Sequence, residues 1–169
     1  MKEQHDQGGR SEWDDLAPDA QCNLAKQLLK ENPSQTNVEM AFHLYSRAAA
    51  AGLAAAQYNL ADMYLRGAGT PKDIRQAICW FEKAAVQGDC DALFNLGLIF
   101  STGDGIAQDE VRAAGYFRQA ADGGLPRAQY ELACAYQTGR GVPLDLNEAN
   151  KWFRKAADNS VTRAKRQLG

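Results

Sequence analysis

Long apolar runs are missing from this sequence, and so is any excess of positive charge. A membrane-spanning helix needs about 18 consecutive apolar residues; no run approaches that, so no membrane insertion is expected. Lys and Arg number 19 against 21 Asp and Glu, a net charge of -2. Binders of duplex nucleic acid show a clear basic excess, so nucleic acid is not expected as a partner. Histidine is scarce, with only His5 and His43, and the four cysteines (Cys22, Cys79, Cys90, Cys134) contain no CxxC pair. Without clustered ligands of zinc type, neither a metal site nor any other cofactor is expected. Residues 1–19 lack the basic and apolar regions of a secretory signal. The expected location is therefore the cytoplasm. What is present is ordinary for one globular domain: 169 residues, 45% hydrophobic and 24% charged.

The sequence repeats itself every 36 residues. Ala20, Ala56, Ala92, Ala128 and Ala164 fall on this period, and so do Leu24, Leu60, Leu96, Leu132 and Leu168. Further marks are Tyr64, Phe100 and Tyr136; Gly67, Gly103 and Gly139; Gly69, Gly105 and Gly141; Asp73, Asp109 and Asp145. Four repeats span 20–55, 56–91, 92–127 and 128–163, and a fifth begins at 164–169. Residues 1–19 stand outside the register as a flexible acidic tail, with Trp13 and Leu16 as candidates to pack on the first helix. The first repeat reads Glu31-Asn32-Pro33-Ser34 where the others carry two glycines. Terminal repeats are often atypical, because one side has no neighbour.

Counting from the leading alanine, positions 1, 5 and 9 are apolar in the first half of each repeat. That spacing belongs to a helix face. Positions 3 and 6 add a second packed side: Tyr58 and Ala61, Phe94 and Gly97, Tyr130 and Ala133. This is helix A. Glycine beyond its end takes the left-handed conformation cheaply. The repeated aspartate then suits the N-cap of a second helix, B. Gln76 and Glu148 follow at capping-box spacing. Helix B carries one apolar face, in repeat two Ala77, Trp80, Phe81, Ala84 and Ala85. The predicted architecture is an all-α, right-handed α/α solenoid of stacked antiparallel helix pairs.

The run from Ala92 through Leu96-Gly97, Phe100, Gly103-x-Gly105-Ile106, Asp109, Ala113 and Phe117 to Ala120-Ala121 and Gly124 resembles the Sel-one-like repeat. Residues 128–163 match that pattern strongly: Leu132, Tyr136, Gly139, Gly141-Val142, Asp145, Ala149, Trp152-Phe153 and Lys155-Ala156-Ala157. Tyr116, where the pattern has tryptophan, and the first-repeat turn depart from it. The resemblance implies a relative of the tetratricopeptide repeat, acting through protein binding in bacterial signalling, secretion or assembly. It also implies, as an alternative, a stoichiometric inhibitor or immunity protein that blocks a toxin or enzyme.

Other chemistries fit the residues less well. The Gly-x-Gly runs follow a helix and lack the Gly-Lys-Ser/Thr of a phosphate loop. The aspartates lie a whole repeat apart. His43 shares its repeat position with Cys79 and Gly115 and has no nucleophile or orienting partner nearby in sequence. No enzyme is expected; a hydrolase of small substrates is the third and weakest alternative. No cysteine position recurs, so four free thiols are expected rather than a disulfide framework. The bases Lys151, Arg154, Lys155, Arg163, Lys165 and Arg166 read as the outer face of helix B and the chain end.

If helix A packs on two sides, a stripe at positions 4, 7 and 11 stays open. It comprises Asn23, Lys26 and Lys30; Asn59, Asp62 and Arg66; Asn95, Leu98 and Thr102; and Glu131, Cys134 and Thr138, with Met63 and Ile99 at its border. These residues change between copies while the scaffold stays fixed. Stacking would align them into a concave groove of the kind solenoids use for binding. The expected function is a non-enzymatic adaptor or scaffold, monomeric, holding a protein or peptide segment there.

Overall fold

A computed structural model of the chain describes residues 13, 15–31, 33–158 and 164. Among them lie eight helices and no strand: α1 (Pro18–Glu31), α2 (Gln35–Ala50), α3 (Ala54–Arg66), α4 (Ile74–Val86), α5 (Cys90–Thr102), α6 (Glu110–Asp122), α7 (Pro126–Thr138) and α8 (Leu146–Asp158). Odd-numbered helices are A and even-numbered are B. Each A packs on its own B, and each B on the next A. The result is the predicted all-α stack of helix pairs.

The turns follow from their residues. Gly67 ends α3 at φ 71°, and its N–H reaches the Met63 carbonyl. Six residues on, the Asp73 carboxylate accepts from the N–H groups of Arg75 (2.9 Å) and Gln76 (3.0 Å) and starts α4. Asp109 caps α6 and Asp145 caps α8 in the same way. The expected capping box is not closed at Glu148, whose Oε1 accepts from Lys151 Nζ instead. The reason lies in the backbone: the N–H of each capping aspartate already donates to the aromatic at position 9. Asp73 donates to Tyr64 O, Asp109 to Phe100 O and Asp145 to Tyr136 O, at 2.9 to 3.0 Å.

The second glycine of each turn serves the stack. A Cβ on Gly69 would meet the Val38 carbonyl at 2.8 Å, one on Gly105 would meet Ile74 at 2.9 Å, and one on Gly141 would overlap the Glu110 carbonyl. In each case the turn presses on the helix B of the preceding repeat. Repeat one has no repeat before it, so Pro33 is free of this demand. Ala20 is exposed for the same reason, whereas Ala56, Ala92, Ala128 and Ala164 are wholly buried.

The core runs between the two helix layers. Leu60, Leu96 and Leu132 from the A helices are fully buried with Tyr45, Phe81 and Phe153 from the B helices. Each such side chain contributes roughly 1.5–3 kcal/mol by leaving water. Gly97 gives Phe117 room, since a Cβ there would lie 2.5 Å from the ring.

A polar bond recurs within this core. The buried Gln57 donates from Nε2 to Ala49 O at 3.3 Å, and Gln129 to Ala121 O at 3.3 Å. Gln21 makes the same bond, eight residues back, to Trp13 O. Trp13, assigned to the tail from sequence, thus stands where a preceding helix B would end, and its ring joins the first core cluster. Leu16 is exposed. Residues 1–12, the part of the fifth repeat (164–169) that follows Ala164, with Leu168, and Arg163, Lys165 and Arg166 lie outside the described residues. All four cysteines are free: Cys22 is buried, Cys79 exposed, and Cys90 and Cys134 are intermediate.

Candidate functional site

The stripe predicted from sequence lies on α1, α3, α5 and α7. Its twelve residues divide by depth. Asn23, Lys26 and Lys30 on α1 are exposed, as are Arg66, Thr102 and Thr138 near the helix ends. Asn59, Asp62, Asn95, Leu98, Glu131 and Cys134 are half-buried. Met63 and Ile99, expected at the border, are in the core at 4% and 5% exposure. At about 100° per residue, position 8 falls only some 20° from position 1, so the apolar arc captures it. Those two side chains pack within the core clusters.

Local bonds fix the polar members. Asp62 pairs with Arg66 at 2.8 Å, and that hydrogen bond raises the arginine above its ordinary range. Thr102 and Thr138 hydroxyls donate to the carbonyls of Leu98 and Cys134, four residues back. The Asn95 amide donates to the Tyr58 hydroxyl at 3.2 Å, joining α5 to α3 across the stripe. Burial pushes the Cys134 thiol up, opposed by a hydrogen bond with Tyr130. By their spacing Tyr58 and Tyr130 are packing residues. Their hydroxyls reach the stripe, and the signal was available: Phe94 holds the same position without one.

Leu98 is half-buried and packs against the core cluster, rather than standing fully exposed as expected. It remains the large apolar residue of the stripe.

The other sequence candidates do not assemble into a reactive centre. His43 is exposed, with its ring edge-on to Phe42 at 5.8 Å. Among the described residues, no group of His, Cys, Asp or Glu is placed to hold a metal ion. Nor, among the described residues, is any helix long and apolar enough to cross a membrane. Lys151 is paired with Glu148, and Lys155 Nζ sits 3.9 Å over the Trp152 ring. Lys151 and Lys155 thus serve their own helix, and Arg154 is exposed.

The eight helices define a solenoid protein built of stacked antiparallel pairs. The Sel1 repeat pattern matches residues 18–53, 54–89, 90–125 and 126–161, and the chain belongs to the Sel1 repeat family. The matched repeats have the period found above, with a start two residues earlier. Among solved structures the chain is similar to c5321, a protective antigen of uropathogenic Escherichia coli with an SLR fold. The TM-score is 0.86 at 28% identity, over 90% of this chain and 32% of that one. A Sel1 repeat protein from Oxalobacter formigenes aligns with TM-score 0.79 at 33% identity, over 90% and 62%. The cysteine rich protein B of Helicobacter pylori shares the fold, with TM-score 0.63 at 19% identity over 79% and 96%. The chain therefore spans about a third and three fifths of the first two relatives. No curated protein matches it. Sel1 repeats are typically protein-interaction scaffolds, and the fold is generally non-enzymatic.

Proposed function

We propose that the chain is an adaptor that holds a protein or peptide segment along the A-helix stripe, as a monomer in the cytoplasm. One observation carries this reading. Most scaffold positions repeat across the copies, while position 7 has a different chemistry in all four (Lys26, Asp62, Leu98 and Cys134) and position 11 changes from basic (Lys30, Arg66) to hydroxyl (Thr102, Thr138). Packing does not require this variety, because these side chains are half-buried or exposed. Leu98, bordered by Asn59, Asp62, Asn95 and Glu131, has the composition of an apolar anchor with a polar rim. A free, exposed thiol at Cys79 suits a reducing compartment.

The test begins with partners captured on the full chain and identified by mass spectrometry. The same partner is then titrated against Leu98→Asp and Thr102→Arg. A rise in Kd of about tenfold or more in both, from loss of the anchor and from obstruction, supports the stripe. A partner bound equally by all three proteins places its contact elsewhere.

A further inference from the structure

One seam between helix pairs differs from the other two. Where α4 meets α6 and the α5–α6 turn, a cleft of about 410 Å³ opens over Ile78, Phe100 and Ile106, with Arg75 and Arg112 at its rim. At the preceding seam Phe42 stands in place of Ile78, and its ring meets Tyr64 edge-on at 5.3 Å. Ala107 replaces the prolines found at Pro71 and Pro143. Relative to the preceding seam these smaller residues leave the space; at the following seam Ala114 stands in place of Ile78 and Pro143 in place of Ala107.

The charge is also particular to this seam. Its two rim positions are Glu39 and Gln76 at the seam before, and Val111 and Glu148 at the seam after. Arg112 lies 3.7 Å over the Phe100 ring and 3.6 Å from Glu82. The Arg75 guanidinium has no partner among the described residues. Asp109 also lines the cleft, but its Oδ1 accepts the Arg112 backbone N–H. Further along the same seam lies a second cleft of about 360 Å³, lined by Ala85, Leu93 and Tyr116, beside an 89% exposed Val86. Leu93 and Tyr116 break the repeat, holding positions where other copies have Gln57 and Trp80.

We propose that this seam docks an extended protein segment that carries an apolar side chain beside a carboxylate. The apolar side chain enters over Ile78, Phe100 and Ile106, and the carboxylate meets Arg75, with Arg112 alongside. Two clefts in line suit an extended chain better than a small molecule filling one of them. This surface is distinct from the A-helix stripe.

Phage-displayed random dodecapeptides panned on the full chain supply the probes, and enriched peptides are titrated by fluorescence anisotropy. The expected consensus places Leu, Ile or Phe next to Asp or Glu. Its Kd rises about tenfold or more with Arg75→Glu, which reverses the charge, and with Ala107→Trp, which fills the cleft. Leu98→Asp leaves it within about twofold, and circular dichroism melting confirms that the variants fold. No acidic–apolar consensus, or consensus peptides indifferent to both seam variants, overturns the proposal. Peptides lost only with Leu98→Asp overturn it while supporting the stripe. A dimer that Arg75→Glu dissociates in sedimentation also overturns it, by making a second copy the occupant.

Discussion

Gly141 and Gly88 both hold a positive φ, 68° and 88°, under different constraints. A side chain at Gly88 would meet nothing within 4 Å, whereas one at Gly141 would run into the Glu110 backbone. Gly88→Ala is expected to cost about 1–2 kcal/mol, the strain of a left-handed alanine. Gly141→Ala adds overpacking against a carbonyl that cannot swing away, for a total of roughly 2–5 kcal/mol. Urea unfolding of both variants measures the difference. Leu96 and Leu98 form a second contrasting pair. Leu96→Asp puts a charge at a site with 0% exposure and should unfold the domain. Leu98→Asp, at a half-buried site, should cost about 1 kcal/mol, a fraction of a full leucine's burial. Equal thermal melting of the two would place Leu98 in the core and remove it from the stripe.

Helices α4, α6 and α8 each depend on one carboxylate at their start, and α2 on the Ser34 hydroxyl, which accepts from the Asn37 N–H. Asp145 satisfies two N–H groups of the first turn of α8 and is itself anchored through its own N–H to Tyr136 O. Asp145→Ala should cost about 1 kcal/mol, while Asp145→Asn should recover most of it, because the amide oxygen caps nearly as well. The denaturation midpoints of the two variants check this. An equal loss in both would assign the effect to charge rather than to the cap. Helices α3 and α7 are held differently. Leu53 and Leu125, which precede α3 and α7, make no side-chain cap, and the buried glutamines Gln57 and Gln129 tie those helices to the carbonyls of the preceding helix B. Helices α3 and α7 are thus stabilised by their neighbour in the stack, whereas α5, with Leu93 in the glutamine's place, is capped by the Asp89 carboxylate, which accepts the Ala92 N–H at 2.9 Å.

At the scale of the molecule, two core clusters meet at Tyr64 and Trp80, which pack against both, so groups buried far apart contribute to one stability. Burial raises the thiol values of Cys22 and Cys134 and the phenol of Tyr45. A group that holds its proton more tightly when folded stabilises the fold below its unfolded value and loses that contribution as pH rises toward the folded value. The stability contributed by these groups should therefore be complete at neutral pH and decline above about pH 8.5, where unfolded thiols begin to ionise. Urea midpoints between pH 7 and pH 10 test this; a flat profile over that range would show that these groups keep their ordinary values when folded.

The period, the helix pairs, the aspartate caps and the small residues at close contacts are legible in the amino-acid order alone. All of these are local demands of backbone geometry or of a helix face, repeated in three or four copies. Only the tertiary structure decided what depends on the neighbouring repeat. It explains why Pro33 and Ala20 escape the pattern, why Met63 and Ile99 are core, and why glutamines lie buried. A single-helix wheel assigns Gln57 by its polarity, yet the Ala49 carbonyl that satisfies it comes from another helix. The stripe was legible as variation between copies. The cleft at Arg75 and Ile78 was not, because it joins position 20 of one repeat to position 21 of the next, and that adjacency exists only once the pairs are stacked.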